Sequence, residues 1–76
     1  KIKSRPAIVY SNSAAIKLAR KDLSSALSEA NKAIAIDPYL KEAYLVRSKI
    51  HSASGDSAAA SADKTKADSL YPQMDF

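Results

Sequence analysis

The 76-residue chain has no cysteine, no tryptophan, a single glycine, a single histidine and a single methionine. Without cysteine it has no disulfides, thiolate nucleophiles, iron–sulfur ligands or zinc–thiolate sites, and the redox compartment is left open. One histidine also excludes the two-histidine metal motifs. No apolar run approaches the roughly 18 residues of a membrane span. The opening KIKSRPAIVY has a basic start but too short an apolar stretch for a secretory signal. The chain does not begin with methionine, and the expectation is a processed product or an excised fragment of a longer protein. No compartment is assigned, with a cytoplasmic one favoured. A chain of this length buries only about 60–65% of its unfolded surface, which leaves little depth for a cofactor cleft and catalytic apparatus. An enzyme and a bound cofactor are not expected. The formal charge of +4, twelve Lys or Arg against eight Asp or Glu, is too scattered to specify nucleic acid.

What the chain does have is alanine and serine, fifteen and twelve residues respectively. Its apolar content therefore comes from small helix formers rather than from sheet-forming valine, threonine and aromatics. Small side chains allow helix axes to approach closely. The expected fold class is all-α.

The clearest pattern is LSSALSEANKAIAI, where Leu23, Ala26, Leu27, Ala30, Ala33 and Ile34 recur at helical spacing. Asp22 stands ready to cap this helix, and Pro38 cannot extend it, which bounds it at about 23–36. Upstream, a helix is expected from near Pro6, a residue with no N–H to lose in a first turn. Val9, Tyr10, Ala14 and Ile16 or Lys17 are its expected inward side, with Ile8, Ala15 and Leu18 on another. KEAYLVRSKIHSAS makes a third helix, packing through Ala43, Tyr44, Val46, Ile50 and Ala53. Gly55 follows at a left-handed cap position, and Asp56 caps a fourth helix, SAAASADKTKADSL, ending at Pro72. Short connections require successive antiparallel neighbours. The tail 73–76 is expected to patch the last helix pair through Met74 and Phe76.

Pro38 and Pro72 lie 34 residues apart (72 − 38), and the same shift superimposes Tyr10 on Tyr44, Asp22 on Asp56, Ala26 on Ala60 and Ala33 on Ala67. A period of this length with two helices per unit is the arithmetic of a helical repeat. On these residues the sequence resembles the tetratricopeptide repeats, over 7–72, as unit 7–38 and unit 41–72 of a single domain spanning 1–76. The resemblance implies antiparallel helix-turn-helix repeats forming a segment of a right-handed superhelical solenoid. Ser13 and Arg47 stand where the family prefers leucine, Lys21 replaces the turn glycine, Ser48 a small glycine or alanine, and Lys64 a large aromatic. The fourth helix is left with Ala58, Ala59, Ala62, Ala67 and Leu70, which predicts the weakest helix of the set.

The resemblance further implies a concave surface lined by the first helix of each unit, with Ser11, Asn12, Ala15 and Leu18 from the first and Glu42, Leu45, Lys49 and Ser52 from the second. Such a surface suits a peptide or protein partner. Asn12 matches the asparagine with which co-chaperone members of the family grip an acidic chaperone tail. Glu42 and Val46 occupy the two basic positions of that clamp, so a carboxylate ligand is repelled rather than held. His51 has no visible nucleophile and orienting carboxylate, and the expectation is a histidine packed between helices or half exposed. Asp63, Asp68 and Asp75 read as a solvated face rather than a metal site, and Tyr39 and Tyr71 as seals over the turns. Lys64 and Lys66, without interleaved aromatics, are weak signals for RNA or phosphate. The reading is a non-catalytic scaffold or adaptor, the alternatives being a self-associating module stacked through its ends and a weak RNA- or phosphate-contacting protein. The sequence does not identify the ligand.

Overall fold

A computed structural model describes residues 4–70, which form four α-helices: α1 (Ser4–Ala19), α2 (Leu23–Ile36), α3 (Lys41–Ala53) and α4 (Ser57–Ser69). No strand occurs among the described residues. The expectations for Tyr71, Pro72, Met74, Asp75 and Phe76 fall outside them. Successive helices pack on one another, α3 also touches α1, and neither α1 nor α2 reaches α4. The core is therefore a row of contacts, with α3 in its middle.

Alanine sets the spacing of that row. Ala26, Ala30 and Ala33 of α2 are fully buried, as are Ala7 and Ala14 of α1, and Ile50 of α3 inserts among Ala14, Ala26 and Ala30. Leu18, Leu27 and Val46 close over this cluster. A second, smaller cluster joins Tyr44 of α3 to Ala67 and Leu70, with Ile34 and Leu45 against it.

Of the inward face expected for α1, Ala14 is buried and Tyr10 half-buried, but the rest of the face differs. Ala7, Ser11 and Ala14 point inward, whereas Val9 and Ile16 are 63% and 57% exposed. The smallest side chains face the neighbour because they permit the closest approach of the axes. Ala53, the last residue of α3, is exposed rather than on the packing side. On α4, Ala58 and Ala62 are exposed, and Asp63 occupies the buried position between Ala59 and Ala67.

The two hairpins share their local chemistry at the period read from the sequence. Lys21 and Gly55 both have positive φ, 64° and 87°. At the first turn the Lys21 N–H donates to Leu18 O and the Asp22 N–H to Lys17 O. At the second, Gly55 donates to Ser52 O and Asp56 to His51 O. These are the paired bonds of a left-handed helix cap, repeated in register. Lys32 Nζ lies 5.6 Å over the Tyr10 ring and Lys66 Nζ 6.0 Å over the Tyr44 ring. Lys17 pairs with Glu29 at 3.5 Å, and one period on His51 Nε2 lies 3.7 Å from Asp63 Oδ2.

The caps differ in one respect. Asp56 accepts from the Ala59 N–H at 3.1 Å, as expected, but Asp22 makes no side-chain cap bond. Their backbone angles nearly coincide, −91° and 74° against −100° and 78°, so the difference does not come from the cap backbone.

Candidate functional site

Ile8, Ser11 and Asn12 fall on one stripe of α1 because residues three and four apart share a helix face. Leu40 and Glu42 stand at the start of α3, where the chain re-enters after the Pro38 turn. Because α1 and α3 are in contact, these five residues meet in one concavity of about 230 Å³. Ser11, 3% exposed, lies at its floor; Asn12 and Glu42 are exposed at its mouth, and Ile8 and Leu40 supply apolar walls.

Glu42 lies in the first turn of α3, where the helix dipole favours negative charge. Among the described residues no cation forms an ion pair with it. The site thus offers an unneutralised carboxylate beside an amide and two aliphatic surfaces.

Of the eight residues expected to line a groove, Ser11, Asn12 and Glu42 converge here. Ala15 is exposed one turn further along α1, and Leu18 closes the alanine cluster. Leu45 packs on the Tyr44, Ala67 and Leu70 cluster, while Lys49 and Ser52 are exposed and lie outside this concavity. The reading missed Ile8 and Leu40. Ile8 was discoverable, because it stands one period before Glu42 and so faces the same surface.

A wider, shallower furrow of about 510 Å³ runs along α2, lined by Ser24, Leu27, Ser28, Asn31, Lys32 and Ala35. All come from one helix, so no groups converge on it from opposite sides.

The other polar cluster is occupied by its own members. Arg47 of α3 donates from Nε and a terminal nitrogen to the two oxygens of Asp63 at 2.8 Å, and from its other terminal nitrogen to Asn31 Oδ1 at 3.0 Å. Asp63 is therefore a buried partner and not part of a solvated face, which corrects the expectation for it: α4 comes close enough to α3 for the guanidinium fork to reach across. The hydrogen bond to Asp63 raises the Arg47 pKa against the opposing effect of burial. Ser48 donates to Ala60 O at 2.9 Å, a bond that a glycine or alanine there could not make. His51, with its side chain 20% exposed, is too far from Asp63 for a hydrogen bond.

Among the described residues no group of three or more His, Asp or Glu could hold a metal ion, and no helix is long and apolar enough to cross a membrane. Comparison of the chain with protein-family models, curated proteins and solved structures finds no match.

Proposed function

We propose that the chain is a pair of tetratricopeptide-like hairpins, wound in the right-handed sense that resemblance implies, acting as a non-catalytic interaction scaffold. Its pocket between α1 and α3 takes a lysine or arginine side chain of a peptide. The observation that carries this reading is the unpaired Glu42 carboxylate at the mouth of a cavity walled by Ile8 and Leu40. An aliphatic stem covers the apolar walls while its cationic head meets Glu42, which is how long basic side chains ordinarily partition. Asn12 can bond the peptide backbone through both its donor and its acceptor. The volume of about 230 Å³ is below the roughly 300–1,000 Å³ typical of ligand clefts, so the pocket suits a side chain better than a cofactor.

The repeat supports the architecture in this reading: left-handed caps, lysine–tyrosine contacts and the interhelical neighbours Lys17–Glu29 and His51–Asp63 all recur at one spacing. The test is an array of extended peptides followed by anisotropy titration of the binders. Binders should contain lysine or arginine, and exchanging that residue for norleucine should weaken binding about tenfold, the equivalent of roughly 1.4 kcal/mol. Peptides selected without regard to basic residues, or binding unchanged by norleucine, refute the assignment.

A further inference from the structure

The floor of the α1–α3 cavity holds a polar group that the fold itself does not use. Ser11 is 3% exposed, and its hydroxyl makes no hydrogen bond among the described residues. Serines on α3 and at its C-terminus behave differently: Ser48 donates to Ala60 O at 2.9 Å and Ser54 to Ile50 O at 3.0 Å. Among the described residues no side-chain oxygen or nitrogen that is wholly occluded from solvent lacks a partner. The Ser11 hydroxyl, which has none, therefore keeps an opening, and the space it lines is this cavity.

The repeat does not require a hydroxyl at this position. One period on, residue 45 is leucine, packed beside Tyr44, Ala67 and Leu70. Ala7 and Ala14, one turn to either side of Ser11, show that alanine fits the buried face of α1. Alanine there would avoid the desolvation cost that a buried, unpaired hydroxyl bears in full. At the mouth, Asn12 and Glu42 also make no side-chain hydrogen bond or ion pair among the described residues. The cavity thus presents acceptors at two depths, the Glu42 carboxylate outside and the Ser11 hydroxyl inside.

We infer that this pocket selects arginine over lysine and that Ser11 is the residue that makes the distinction, an inference that rests on reading the cavity as a receptor for a basic side chain. A guanidinium is planar, and its five N–H donors leave different edges of the plane. One edge forks onto the Glu42 carboxylate while another N–H reaches down to Ser11 Oγ. Lysine carries its donors on a single, strongly hydrated nitrogen, so its head stays with Glu42 at the wet mouth and leaves the floor unpaired. The guanidinium is also the more weakly hydrated cation, which lowers the cost of passing between Ile8 and Leu40.

The test titrates one array peptide in three versions, with arginine, lysine or norleucine at the basic position, against the parent and Ser11→Ala by anisotropy. The parent should bind the arginine peptide about tenfold more tightly than the lysine peptide, and Ser11→Ala should bring the two within about twofold by weakening arginine alone. Alanine is a better helix former than serine, so circular dichroism should show helicity unchanged or higher. The lysine peptide, binding the variant as it binds the parent, separates lost recognition from lost structure. Equal affinity of the parent for arginine and lysine, a preference for lysine, or an arginine preference that Ser11→Ala leaves intact overturns the inference while the reading of a basic-side-chain pocket stands. Arginine and lysine peptides that bind no better than the norleucine peptide overturn both.

Discussion

Exchanging the cap residues of the two hairpins, Lys21→Gly and Gly55→Ala, should change stability in opposite directions. Both positions are left-handed, with φ of 64° and 87°. A residue with a Cβ pays about 1–2 kcal/mol there, which glycine avoids. Glycine in turn gains freedom in the unfolded chain, an opposing effect of about 0.4–1 kcal/mol. Lys21→Gly should therefore stabilise by roughly 0.5–1 kcal/mol. At Gly55 a Cβ would meet nothing within 4 Å, so Gly55→Ala isolates the backbone effect and should destabilise by a similar amount. For a domain of this size 1 kcal/mol moves the midpoint by about 4–8 °C. Thermal unfolding followed at 222 nm should place Lys21→Gly a few degrees above the parent, Gly55→Ala a few below, and the double variant near it. A fall in stability for Lys21→Gly would refute the equivalence of the caps, since the Lys21 side chain is exposed and its removal uncovers no core.

Three further outcomes follow from the packing. Arg47→Met should cost about 3 kcal/mol in urea unfolding by leaving the Asp63 carboxylate buried without its fork, whereas Arg47→Met with Asp63→Leu should return to within about 1 kcal/mol of the parent. The raised pKa of Arg47 contributes stability that is present below its unfolded value and lost only as pH rises through the folded one, so it adds no pH dependence near neutrality. Ile50→Ala should cost about 2–5 kcal/mol because the alanines around it have no side-chain length with which to refill the space, and urea unfolding would read it. Amides of α4 should exchange with deuterium before those of α2, since α4 buries only Asp63, Ala67 and, at its end, Leu70; greater protection of α4 contradicts the ranking.

The helix boundaries were legible because each carries a local signal: Pro6, Pro38, Gly55 and Asp56 act within one turn of where they stand. The alanine core of α2 was legible from spacing, since its packing face is also its apolar face. For α1 that logic failed. Its buried face is small rather than apolar, and hydrophobicity ranks Val9 and Ile16 above Ala7 and Ser11, although close approach favours the latter. Asp63 failed for a different reason: a carboxylate on a serine-rich helix reads as solvated until a guanidinium sixteen residues away is seen to face it. The period connects them, since Asp63 stands one unit after Glu29 and both pair with the preceding helix. In the pocket, Ser11, Asn12 and Glu42 are among the positions that the family resemblance implied for a groove. Leu40 is not, because its position depends on how the chain turns after Pro38.

The central claim, that the α1–α3 pocket selects a basic side chain through Glu42, is tested most directly by reversing that one charge. A lysine-containing peptide from the array and its glutamate-substituted twin would be titrated by anisotropy against the parent and Glu42→Lys, with both proteins checked for equal helicity. The account predicts that the parent prefers the lysine peptide by at least about tenfold and that Glu42→Lys prefers the glutamate twin. The same preference in both proteins would contradict it.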